Sequence, residues 1–232
     1  TSPTLRPTLT LNCIMDKKKF GLMIVDMQVD FVSTGGALYV PGSEQDIENT
    51  IRFINGFKQP FKAWLTKDVH LESDPSFASN WLDESETITT GRNIYTGTGR
   101  YQSLVGVDLW PPHCQYDEHG SEINTDLIDH LNQICDRDAR PIVVEKGMSG
   151  IQYGPMFIDR LDGKGRVRLN SILNDLDYHC NHLFVAGEAK NFCVHDTIEE
   201  ILEVFGDKIN ITLLSDCTSE IKGVNRLTRA FD

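Results

Sequence analysis

Six side chains, spread over five short stretches, have the types and spacing to do chemistry. Cys193 stands in VAGEAKNFCVHDTIEEIL, where a strand-like run turns into a helix-like one. A thiol at a helix N-terminus feels the positive end of the macrodipole, which lowers its pKa and favours the nucleophilic thiolate. Backbone N–H groups in the same turn offer a seat for an oxyanion. Asp26 ends the apolar run of FGLMIVDM. A partly desolvated carboxylate there has a raised pKa and suits a general base. Lys146, in VVEKG, is a cation able to offset charge that develops in a transition state. Asp68 and His70 lie two apart in LTKDVH, and His113 sits in WPPHC, stiffened by two prolines. One carboxylate and two imidazoles suit Zn²⁺, Fe²⁺ or Mn²⁺, with water completing the shell. Each residue alone also admits a plainer reading: an inert buried thiol, a helix cap or ion-pair partner, an exposed loop lysine, a polar turn.

These residues need elements that bring them together. Phe20–Met27, Pro60–Thr66, Pro141–Glu145, His182–Ala189 and Ile209–Asp216 are short apolar runs bounded by polar residues, the pattern of parallel strands buried on both faces. Between them, Glu44–Phe57 places Ile47, Ile51 and Ile54 on one helical face. Ile123–Cys135 does the same with Leu127, Leu131 and Ile134. Val194–Gly206 does it with Ile198, Ile201, Leu202 and Phe205, and Gly206 suits a C-cap. Alternating β and α segments predict an α/β fold, a three-layer α/β/α sandwich with a mostly parallel central sheet. Ligands bind at the carboxyl ends of such strands. That rule selects Asp26, Asp68, Lys146 and the Gly187–Cys193 loop.

The formal net charge of −12 argues against nucleic acid or an anionic membrane as partner. No apolar run approaches the ~20 residues that span a bilayer. The six cysteines are scattered without a CxxC pair, as expected of reduced thiols in an intracellular, cytoplasm-like compartment. Residues 1–19, Thr/Pro-rich and then basic, read as a flexible tail, and 20–232 as one domain.

Taken together, VDMQVDF, GGALYVPG, KDVH, WPPHC, VVEKG and GEAKNFCV, in this order, resemble the nicotinamidase/pyrazinamidase branch of the isochorismatase-like hydrolases. The likeness covers roughly Phe20 to Ser219, and the pairing of DxH with WPxHC is its most specific part. It implies a metal-dependent cysteine amidohydrolase that converts nicotinamide to nicotinate and ammonia. Cys193 would be the nucleophile, with Asp26 and Lys146 completing a triad. Asp68, His70 and His113 would hold one divalent metal, zinc first, with iron or manganese as alternatives. Phe31, Trp110 and Phe192 match positions that line the nicotinamide pocket. The bond from Glu188 to Ala189 matches a cis peptide, and the N–H groups of Ala189 and Cys193 an oxyanion hole. A homo-oligomer is compatible with the family.

The departures are local. Relatives often carry a further His after DxH; here HLESDPSF has none, leaving Asp74, Glu72 or water as a ligand or hydrogen-bonding partner. AKNFC stands where relatives read closer to ATDYC, and QYGPMF replaces a Tyr-Ser…Phe string. Asn80–Val107 reads as a lid or as surface decoration. The rival readings are an amidase of the same superfamily acting on a carbamoyl or ureido substrate, and a non-catalytic ligand-binding member.

Overall fold

The computed structural model describes residues 18–80, 93–94, 108–134, 140–148, 153–158, 168–169 and 172–222. Most of the tail, and of the segment read as lid or decoration, lies outside them.

Five strands form one all-parallel sheet: β1 (Phe20–Val25), β2 (Phe61–Asp68), β3 (Ile142–Lys146), β4 (His182–Gly187) and β5 (Asn210–Leu213), in the order β3-β2-β1-β4-β5. The helices are α1 (Val29–Val32), α2 (Ser43–Gly56), α3 (Thr125–Ile134), α4 (Ile172–His179) and α5 (His195–Phe205). Side chains of β1 alternate between two cores, because successive residues of a strand point to opposite faces. Leu22 and Ile24 pack with Ile47 and Ile54 of α2 and Leu127 and Leu131 of α3. Met23 and Val25 pack with Ile172 and Leu176 of α4 and Ile198 and Ile201 of α5. Each such side chain contributes roughly 1.5–3 kcal/mol on burial. This is the expected three-layer sandwich.

Three details differ from expectation. First, only the inner strands are buried on both faces: in β3, Val143 and Glu145 are exposed, and β5 is half-buried, as edge position dictates. Second, Leu202 of α5 faces solvent while Ile198 and Ile201 fill the core. Third, α4 has no counterpart in the helices read from the sequence. Its Ile172 and Leu176 point inward, and its Asp175 accepts a 2.8 Å hydrogen bond from Nε1 of Trp64 on β2.

The parallel register aligns the strand ends that matter. Asp68 pairs with Lys146, and Val25 with Gly187, so Asp26, Asp68, Lys146 and Glu188 leave the sheet along one edge. Gly187 has φ +118°, and a Cβ there would collide with the Val25 carbonyl oxygen. Glycine alone lets β4 turn so close to β1.

Candidate active site

Asp26 follows β1 with φ +46°, a conformation uncommon outside glycine and one that often marks a functional constraint. Its side chain is fully buried. Oδ2 lies 2.8 Å from Nζ of Lys146, and Oδ1 accepts a 2.5 Å hydrogen bond from the Thr66 hydroxyl. Nζ of Lys146 stands 3.6 Å from Sγ of Cys193. Burial raises the Asp26 pKa, although attraction to Lys146 opposes it. Burial would lower the Lys146 pKa, but Asp26 and Asp68 overcome it and hold the ammonium protonated well beyond its usual range.

Cys193 sits in a π-helical turn, Lys190–Val194, that leads into α5. The turn is closed by Phe192 and Val194 N–H bonds to the Ala189 carbonyl, and by the Thr197 hydroxyl on the Cys193 carbonyl. The thiol differs from expectation. Burial pushes its pKa well above the usual range, and Lys146 only partly offsets this. Desolvation outweighs the attraction of Lys146, so the resting group is a thiol that needs a base beside it.

The metal-type residues also converge. Asp68, His70 and His113 are all buried, and one donor atom from each lies within 4.8 Å of the others. Nε2 of His70 is 2.9 Å, and Nε2 of His113 3.8 Å, from Oδ2 of Asp68. Nδ1 of His113 is 2.8 Å from the Pro111 carbonyl, which can only accept, so Nε2 keeps its lone pair. Nδ1 of His70 is 2.9 Å from Oδ2 of buried Asp74. Without an ion, burial lowers the His70 pKa but Asp68 and Asp74 raise it, to about 10. Burial and neighbouring His70 press His113 down to about 4. Two nitrogens and one carboxylate oxygen converging in a buried place fit a divalent cation. Of the two residues weighed as replacements for the absent histidine, Glu72 is exposed and Asp74 bonds the far edge of His70.

The two groups meet at Asp68. Its Oδ1 is 3.3 Å from Lys146 Nζ, while its Oδ2 faces the histidines. Gly147, at φ +91°, leaves room for this carboxylate: a Cβ there would stand 2.5 Å from Oδ1.

Between them lies a narrow pocket. Phe31, Trp110 and Phe192 all line it, together with Asp68, His113 and Cys193. Trp110 meets Phe192 edge-on, with ring centroids 5.0 Å apart. The Glu188–Ala189 bond is cis, and Ala189 reaches the pocket wall.

Several residues of this region escaped the sequence reading. Tyr153 lines the pocket, accepts a 3.0 Å hydrogen bond from Trp110 Nε1 and packs on Phe192. It stands in QYGPMF, where an aromatic between glutamine and glycine was its only signal. Gln28 is fully buried and clamps Asp68: its Oε1 accepts from Asp68 N at 2.7 Å, and its Nε2 donates to Asp68 O at 2.7 Å and to Ser121 O at 2.9 Å. Asp30 accepts from Cys114 N at 2.7 Å and Ala37 N at 3.0 Å, tying the histidine-bearing loop to α1. Polar residues inside VDMQVDF were the available clue.

The comparisons with known proteins agree with this picture. No family model matches the chain. A curated nicotinamidase of Saccharomyces cerevisiae is 27% identical over 194 residues, 83% of this chain and 85% of that protein. A structure of the yeast nicotinamidase bound to the inhibitor nicotinaldehyde superposes with TM-score 0.70 at 22% identity, covering 91% of this chain and 93% of that one. L. infantum PnC1 in complex with nicotinate gives TM-score 0.62 at 23% identity, covering 88% and 82%. The pyrazinamidase of Pyrococcus horikoshii in complex with zinc gives 0.58 at 22%, covering 88% of both. The chain is therefore similar to nicotinamidases in sequence and shares the fold of these structures.

Proposed function

We propose, from the premise that this chain resembles the nicotinamidases in motif, sequence and fold, that it hydrolyses nicotinamide to nicotinate and ammonia through Cys193. The observation that carries the reading is the buried chain Asp26–Lys146–Cys193, 2.8 and 3.6 Å between polar atoms, opening on a pocket walled by the aromatic rings of Phe31, Trp110, Tyr153 and Phe192.

Asp68, His70 and His113 would hold one divalent ion, zinc in the first instance. When bound, it supplies a Lewis-acid contact for the pyridine nitrogen. Phe31, Trp110 and Phe192 hold the ring and present its carboxamide to Sγ. Asp26 takes the thiol proton, and the thiolate adds to the amide carbon. The raised pKa of Asp26 brings it nearer to the thiol's affinity for a proton, which eases the transfer. The N–H groups of Ala189 and Cys193 receive the oxyanion. Asp26 then gives its proton to the amide nitrogen, and ammonia leaves a thioester on Cys193. Asp26 next takes a proton from water. The resulting hydroxide displaces Sγ, which recovers that proton from Asp26, and the acid so formed ionises to nicotinate as its own proton passes to ammonia or water. Lys146 keeps its proton throughout, orients Asp26 and offsets the thiolate charge.

The test is ammonia release from nicotinamide by the zinc-loaded protein. The wild type turns over and Cys193→Ala is silent with nicotinamide binding retained. Fully metallated protein that leaves nicotinamide intact would sink the substrate claim and direct attention to carbamoyl and ureido amides.

A further inference from the structure

We infer that Asp74 is a positioning residue of the metal centre, fixing the ring of His70 from outside the ligand set. This rests on the metal reading above, and it separates two roles that HLESDPSF leaves open. The two nitrogens of an imidazole point in divergent directions. Nε2 of His70 faces Asp68 at 2.9 Å, on the side where His113 also approaches. Asp74 meets the opposite nitrogen, Nδ1, at 2.9 Å. Its other oxygen is engaged as well: Oδ1 accepts from the backbone N–H of Ser76 at 2.7 Å and from its hydroxyl at 2.6 Å. Reaching an ion at Nε2 would break all three contacts.

The turn around Asp74 is built to hold still. Phe77 N–H and the Asn80 side-chain amide both donate to the Asp74 carbonyl, at 3.1 and 2.8 Å. Phe77 is fully buried, with its ring 5.3 Å from that of His70 and 5.6 Å from that of His113. The four residues Asp74–Phe77 thus supply His70 with both a carboxylate partner and an apolar backing. A carboxylate on Nδ1–H leaves the Nε2 lone pair for the ion and makes the ring a stronger donor. His113 is oriented by the neutral Pro111 carbonyl instead, so the charged partner is given to one histidine of the two.

The experiment is a zinc titration against a chromogenic chelator with wild type, Asp74→Asn and Asp74→Ala, each checked for an unchanged metal-free fold by circular dichroism. Asparagine keeps an acceptor for Nδ1–H but loses the charge; alanine loses both. Affinity should fall by roughly 10–100-fold in Asp74→Asn and further in Asp74→Ala. In the zinc-loaded proteins a slowly exchanging His70 Nδ1–H resonance should persist in wild type and Asp74→Asn and vanish in Asp74→Ala. Ser76→Ala, which removes one bond to Asp74 but none to His70, should weaken zinc binding by a few-fold, and a folded Ser76→Ala with wild-type zinc affinity would count against the inference even if the Asp74 variants misfold. Equal zinc affinity in wild type and both Asp74 variants would overturn the inference while leaving the metal reading intact. A wild-type protein that takes up no zinc would overturn both.

Discussion

Asp68 touches both halves of the site, so whatever holds Asp68 governs both. Gln28 does this with two buried hydrogen bonds to the Asp68 main chain, and is itself anchored by a third to the Ser121 carbonyl. Gln28→Leu has similar volume and leaves the N–H and carbonyl of Asp68 and the Ser121 carbonyl without that partner. Unfolding in denaturant should show a loss on the order of 3 kcal/mol, since each unsatisfied buried group costs about 1–3 kcal/mol. A variant as stable as the wild type would show that the clamp is redundant. Lys146 offers a test of sign. Burial raises the Asp26 pKa and Lys146 pulls it down, and Asp26 must be ionised to act as base. In Lys146→Met the opposing pull is gone, so the Asp26 pKa climbs further. The acid limb of kcat/KM should move to higher pH, with a lower plateau. A limb that stays in place would remove Asp26 from the role of base. In the wild type, the protonated Lys146 contributes stability that is present below its ordinary pKa of 10.5 and is lost only as pH climbs through the still higher folded value. Residues whose chemistry is unusual for their surroundings were legible in the sequence: Asp26, Asp68, His70, His113, Lys146 and Cys193 all come together. Gln28, Asp30 and Tyr153 were not, because their importance lies in what they bond to, and distant main-chain partners leave no mark on local pattern.

At the level of elements, hydrophobic period and end signals located five strands and three helices to within a few residues. Gly206 caps α5, donating its N–H to the Leu202 carbonyl at φ +51° and ψ −130°, a region that essentially only glycine visits. Gly206→Ala should lower stability by about 1–3 kcal/mol while leaving kcat and KM alone, because the cap lies at the far end of α5 from Cys193. Thermal melts and steady-state rates check both halves of that expectation, and altered kinetics would contradict it. Elements decided by tertiary contact escaped the pattern. The eight residues of α4 include an Asn and two Asp, poor helix formers, and hold through Ile172, Leu176 and the bond from Trp64 to Asp175. The exposed face of β3 follows from its place at the sheet edge, which period alone does not reveal.

For the whole molecule, charge and metal act together. With a net charge of −12 the chain repels polyanions and attracts divalent cations at long range. An ion that binds the folded state alone stabilises it by mass action, about 2.7 kcal/mol at a hundredfold excess over Kd. In a domain of this size that raises Tm by roughly 5–10 °C, since each kcal/mol is worth about 2–4 °C. Zinc titration of the melting curve, reversed by chelator, should show it. A Tm indifferent to both would mean that the Asp68, His70 and His113 group holds no zinc.

The measurement closest to the central claim is an acid quench of zinc-loaded protein during turnover of nicotinamide, followed by mass analysis of its peptides. The mechanism predicts a nicotinoyl group in thioester linkage on Cys193, absent when Asp26→Asn is treated in the same way. Turnover with Cys193 unmodified at every time point, and with Cys193→Ala still releasing ammonia, would contradict nucleophilic catalysis by this cysteine.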